Sequence, residues 1–143
     1  MGNFHELLDH EVTLAFMRYG TIVVLKMMLM STITAFFRMK KKVRDESWSY
    51  EKKQCVDSFP RIHLNDLENI IPFLFAGFFY SFSGVSLSTA LLHYRIFLGS
   101  RIFHTIAYLV PLPQPSRGLA WMAGYLVTFS MMYKVIMIAF TVS

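Results

Sequence analysis

With a single cysteine, Cys55, among 143 residues, the chain can form no intrachain disulfide and no zinc site built on cysteines. Acid is scarce as well: 9 Asp and Glu stand against 14 Lys and Arg, a formal net charge of +5. There are only 5 prolines, three of them crowded into 111–115, so long stretches run without a helix breaker. Residues 1–11 are polar and acidic and lack the basic start of a cleavable signal. No internal repeat and no low-complexity tract occurs. His63, His93 and His104 are not spaced as a ligand set, which argues against a metal, and no Ser-His-Asp arrangement offers a nucleophile. The basic residues are not interleaved with aromatics in the manner of a nucleic-acid site, so no nucleic-acid partner is expected.

What is abundant is apolar: 55% hydrophobic residues, 16% aromatic and a mean hydropathy of +0.43. That is too apolar for an ordinary soluble domain and predicts one integral membrane domain over 1–143, all-α, with four helical spans. The spans are expected at about 12–38, 61–84, 87–110 and 117–142, each long enough to cross a bilayer at about 1.5 Å per residue. Arg18 can snorkel to the near interface, but Lys26 sits closer to mid-span and needs a partner or a water-filled groove. Met27, Met28 and Met30 read as packing residues. Residues 39–60 read as a charged loop without apolar periodicity, in which Cys55 is an incidental free thiol. Ser83-Gly84-Val85-Ser86 is a tight turn that makes spans two and three antiparallel neighbours. Pro111-Leu112-Pro113-Gln114-Pro115 is a rigid extended connection, and Pro72 predicts a kink in span two. The excess of Lys and Arg in 38–61 predicts that both polar connections are cytosolic and both termini lumenal.

The polar residues inside the spans fall into stripes. Arg61, Asn65, Glu68 and Pro72 share a face of span two at i, i+4, i+7 and i+11, and burying such groups in a bilayer marks a candidate site. Ser31, Thr34 and Arg38 share a face of span one. Arg101, His104, Thr105 and Tyr108 share one in span three. Arg117, Trp121, Gly124 and Thr128 share one in span four, with Tyr125 at its margin. All lie toward the loop side. Four arginines and one histidine against Glu68 at that depth describe a cationic pocket that suits an anion. Depth matching along antiparallel helices predicts that Arg101 pairs with Glu68.

Residues His63-Leu64-Asn65-Asp66-Leu67-Glu68-Asn69-Ile70-Ile71-Pro72-Phe73 resemble the signature of the MAPEG family, the membrane-associated proteins of eicosanoid and glutathione metabolism. Arg95 to Leu109 and Pro111 to Arg117 resemble the third-helix and connecting-loop motifs of its microsomal glutathione transferase branch. The resemblance covers most of 22–134 and is weakest over 39–60, where this chain is several residues shorter, so Cys55 inherits no role from it. It implies a homotrimer with glutathione held between neighbouring subunits by Arg38, Arg61, Asn65, Glu68, Arg101, His104, Tyr108 and Arg117, with Trp121 and Tyr125 as further contacts. Glutathione, with two carboxylates and one amine, fits an excess of cations around one acid. It is implied as co-substrate, with no metal, and the second substrate as a hydrophobic electrophile or lipid hydroperoxide delivered from the bilayer. The implied location is the endoplasmic reticulum membrane, with the mitochondrial outer membrane as a second, and the site facing the cytosol.

Arg117, at the start of span four, is the candidate for activating the thiol. Two departures bear on the reaction. The prostaglandin E synthase branch has arginine where this chain has Leu64 and serine where it has Gly118, which points to a detoxifying transferase rather than a glutathione-dependent isomerase. Two further readings compete with the transferase: a non-catalytic lipid-binding scaffold of the same family, and a proton or ion pathway through Lys26, Arg95 and His104. The one-sided clustering of the polar residues disfavours a pathway.

Overall fold

The computed structural model describes residues 10–44, 48–110, 112–113 and 115–141, without the side chains of 41–44. Glu6, Asp9, Asp45, Glu46, Pro111 and Gln114, and the side chains of Lys41, Lys42 and Arg44, lie outside the described residues. Four helices account for nearly all of the rest: α1 (Glu11–Arg44), α2 (Tyr50–Ser81), α3 (Leu87–Leu109) and α4 (Ser116–Thr141).

The expected loop over 39–60 is largely helix instead. Residues 39–44 contain no Gly or Pro and are mostly good helix formers, so α1 continues to Arg44. The side chain of Ser49 accepts a hydrogen bond from the Lys52 amide (3.4 Å) and caps α2. Beyond it an apolar stripe does exist: Val56, Phe59 and Ile62 are buried, with Cys55 packed beside Phe59 and Ile62. Phe59 stacks on Phe37 of α1 with ring centroids 4.9 Å apart and planes 8° off parallel. Burial of this stripe holds the two helices together beyond their expected ends.

Helix α2 runs through both Pro60 and Pro72. Neither has an N–H, so Pro72 leaves the carbonyl of Glu68 without its usual donor. Residues Glu11–Lys40 of α1 and the whole of α4 are long and apolar enough to cross a membrane. At 32 and 23 residues, α2 and α3 also exceed the roughly 20 needed, but Asp66, Glu68, Arg95 and Arg101 interrupt their apolar character.

Helices α1 and α4 each pack against both α2 and α3 and make little contact with each other. The main core lies toward the 82–86 turn and is aromatic: Phe73 and Phe97 stack at 3.8 Å and 3°, and Tyr94 meets Phe16, Tyr19, Phe73 and Tyr80. Gly84 occupies the left-handed region at the turn (φ 71°), where a side chain would be strained. The flanks of α1 and α4 are apolar and outward-facing: Leu25, Met28 and Leu29, and Leu126, Phe129 and Tyr133, are all more than half exposed. Such faces suit lipid or a neighbouring helix.

One glycine sets the approach of α1 to α2. A Cβ at Gly77 would lie well inside van der Waals contact of the Phe16 ring, whereas one at Gly99 would meet nothing within 4 Å. Gly77→Ala is expected to destabilise the protein by about 1–3 kcal/mol through overpacking. Gly99→Ala, in an open helical position, should be neutral or stabilising by up to about 1 kcal/mol. Thermal unfolding of both variants in the same detergent checks the contrast; equal midpoints would mean that Phe16 yields freely.

Candidate functional site

The deepest polar feature joins three helices. Asp66 of α2 is fully buried and accepts from Lys26 Nζ of α1 (2.5 Å) and Arg101 Nη2 of α3 (2.8 Å). Lys26, Asp66 and Arg101 each stand 14 or 15 residues from the same end of the bundle, defined by Glu11, Ser81 and Leu87. At 1.5 Å per residue that is a common depth of about 21–23 Å, which is why these charges can meet. The expected Arg101–Glu68 pair is therefore not the one formed. Depth matched, but facing did not: Glu68 is exposed, two residues and about 200° around α2 from Asp66. Asp66 answers the need of Lys26 for a partner.

Arg101 is itself 0% exposed. Its Nη2 also donates to Asn65 Oδ1 (2.5 Å) and lies 3.4 Å from His104 Nδ1. Its Nε and Nη1 are buried with no partner among the described residues. A buried guanidinium with unused donors is costly unless an anion or water completes it. Asn69 buttresses Asn65, donating from Nδ2 to the Asn65 carbonyl (2.8 Å).

From Arg101 a file of side chains runs along α3 to the start of α4. The His104 and Tyr108 rings lie 5.0 Å apart, and the Arg117 guanidinium sits over the Tyr108 ring at 4.7 Å. That contact favours a cation and fixes its direction. Arg117 Nε is buried without a partner among the described residues. Tyr108 and Arg117 line a cavity of about 610 Å³, whose opposite wall is the first turns of α2: Tyr50, Glu51, Gln54, Cys55 and Ser58. Cys55 thus faces the same space as Arg117, a placement that the sequence did not indicate. Thr105 lies on the same helix with its hydroxyl buried.

A second cavity, about 400 Å³, opens between α2 and α4 and is lined by Glu68, Asn69, Pro72, Tyr125, Thr128 and Phe129 among others. Trp121 stacks on Tyr125 (5.1 Å, 18°), and Tyr125 continues to Phe129 at 5.7 Å. Both volumes fall within the roughly 300–1,000 Å³ of small-molecule sites.

Within one chain, then, the structure gathers Asn65, Arg101, His104, Tyr108 and Arg117 into one connected file. Glu68 and Tyr125 join the second cavity. Arg38, Arg61 and Trp121 are exposed, on the outer surface of the bundle. Ser31 also faces outward, while Thr34 turns inward and donates to the Met30 carbonyl (2.7 Å). The residue that sequence reasoning missed is Asp66. Its signal was available: it interrupts an otherwise apolar buried stripe of Ile62, Ile70 and Phe73 at i−4, i+4 and i+7.

Four helices, two of them long and apolar enough to cross a membrane, with single guanidinium nitrogens buried without a partner among the described residues and an aromatic-lined cavity between α2 and α4, are the make-up of a membrane protein. The model of the MAPEG family matches residues 16–137, and the chain belongs to that family. It is 51% identical to microsomal glutathione S-transferase 1 of Sus scrofa, over 95% of this chain and 96% of that protein. The human protein of the same name is 48% identical over the same shares. Prostaglandin E synthase of Canis lupus familiaris is 36% identical over 91% of each chain.

Proposed function

We propose that this protein is a membrane-bound glutathione transferase that conjugates glutathione to lipophilic electrophiles and reduces lipid hydroperoxides with the same thiol. The observation that carries the reading is Arg117, clamped over Tyr108 at the edge of a 610 Å³ cavity with a buried Nε that has no partner among the described residues. The high identity to proteins named microsomal glutathione S-transferase 1 supports the same chemistry. Glutathione carries a net negative charge, which suits the unused donors of Arg101 and Arg117, and its amine suits Glu68. Arg38, Arg61, Asn65, His104 and Tyr108 complete the proposed binding set. The stacked Trp121 and Tyr125 add further contacts beside the cavity that holds Glu68. The glutathione thiol, with a pKa of about 8.5 when free, reacts as the thiolate, which a nearby guanidinium favours.

The chain acts in this reading as a homotrimer of four-span subunits in the endoplasmic reticulum membrane, with termini lumenal and the α1–α2 and α3–α4 connections cytosolic. The cavity beside Glu68 is lined by α2 and α4 alone, and α1 makes little contact with α4 in the same chain. An arginine of α1 such as Arg38 therefore reaches that cavity most directly from a neighbouring copy. Exposed Leu64 and Gly118, where the isomerase branch has arginine and serine, favour transferase over prostaglandin isomerisation.

Two measurements test this. Purified protein in detergent should bind radiolabelled glutathione and turn over a lipophilic halide; absence of binding would leave the scaffold reading. Mixed assemblies of Arg38→Ala and Arg117→Ala subunits should regain activity that neither has alone, because some sites then combine intact residues from two chains. No recovery would mean that each site lies within one subunit.

A further inference from the structure

The buried charges of α1, α2 and α3 are unequal: two cations, Lys26 and Arg101, share one carboxylate, Asp66. We propose that Lys26 is a positioning residue for the anion site: by occupying half of Asp66 it keeps Arg101 from being neutralised, and so leaves a net positive charge behind the cavity between α2 and α4, where Glu68 would meet the glutathione amine. The proposal rests on the transferase reading for its ligand, but its electrostatic content concerns any carboxylate placed in that cavity.

The geometry supports division of the carboxylate. Lys26 Nζ takes Oδ2 and Arg101 Nη2 takes Oδ1, so Asp66 has no oxygen left for the two-pronged pairing that guanidinium groups otherwise make with carboxylates. The unused Nε and Nη1 of Arg101 are the donors such a pairing would have engaged. The cluster also stands directly behind the cavity between α2 and α4. Asn69, in the wall, bonds to Asn65, whose Oδ1 accepts from Arg101. On the α4 side, a Cβ at Gly124 would lie 3.7 Å from Arg101 Cδ, and Thr128, one turn on, lines the cavity. With Asp66 and Arg101 both fully buried, a single unit charge is felt over several ångströms.

Charge counting gives the test. The wild-type trio carries +1, Lys26→Met carries 0, and the Lys26→Met/Asp66→Asn pair returns to +1 with Arg101 as its only ion. Glutathione Kd, measured by equilibrium binding in detergent, should rise about tenfold in Lys26→Met. It should recover most of that loss in the double variant, and stay near wild type in Lys26→Arg. In turnover the Lys26→Met effect should fall on KM for glutathione rather than on kcat. A merely structural role predicts the reverse order, with the double variant no better than the single one.

A second probe separates this proposal from the transferase reading. Glutarate, a simple dicarboxylate, should raise the thermal midpoint of the wild type and of the double variant but not of Lys26→Met. Should the wild type bind no glutathione, the transferase reading falls, and the glutarate series alone decides the charge proposal. Glutathione affinity, or a glutarate shift, that is the same in Lys26→Met as in wild type overturns it.

Discussion

Asp66→Ala is expected to cost the folded protein about 3–5 kcal/mol, the range found when one member of a buried ion pair is removed and its partner is left behind. The carboxylate is fully buried and serves two cations. Its loss leaves Arg101, 0% exposed, with only the amide oxygen of Asn65 and a distant ring nitrogen of His104 as acceptors among the described residues. Lys26 is better placed to escape, because its side chain keeps 15% exposure. Arg101→Met should be milder, since the pair that remains, Lys26 with Asp66, is neutral and the Met side chain fills much of the vacated volume. Denaturation in detergent micelles by added sodium dodecyl sulfate would rank the two. If Arg101→Met proves as damaging as Asp66→Ala, packing of the arginine stem, and not charge balance, dominates the site.

Arg117→Ala should abolish the ultraviolet absorbance of bound glutathione thiolate near neutral pH while leaving glutathione able to bind. Arg117 is the second residue of α4, where unsatisfied backbone N–H groups give the helix its positive end, and its own guanidinium adds a full charge there. The Tyr108 ring under it removes the freedom that a solvated arginine would have. Because arginine stays protonated at every working pH, it stabilises the thiolate without acting as the base. Each unit by which the thiol pKa is lowered needs about 1.4 kcal/mol of differential stabilisation. One guanidinium at a partly buried site supplies about one to two such units, so conjugation near neutral pH should slow about 10- to 100-fold. Arg117→Lys should restore part of the signal, since the charge returns without the planar fit over the ring. A mutant that keeps the thiolate absorbance and only binds glutathione more weakly would make Arg117 a carboxylate clamp.

The chain by itself determined the helical architecture, because that rests on local terms. Apolar runs define the helices, two of them long and apolar enough to cross a membrane, and Ser83 to Ser86 and the segment of Pro113 and Pro115 interrupt them. The family was legible in the unbroken run from His63 to Phe73, and Arg101, His104, Tyr108 and Arg117 all fall on the faces that the structure joins. The helix ends over 39–60 were not legible, because charged residues extend a helix as readily as they form a loop. What carries them on is contact between Phe37 and Phe59, two residues that only packing brings together.

Pairing was decided by the tertiary structure alone. Helical spacing gives depth and relative facing within one helix, but not the rotation of that helix against its neighbours. A turn of about 200° separates Glu68 from Asp66, and it was the burial of Ile62, Ile70 and Phe73 that rotated Asp66 inward to Lys26 and Arg101 and left Glu68 at the flank. The same rotation brought Cys55 to the cavity of Arg117, across a boundary that reading along the chain treats as loop against helix.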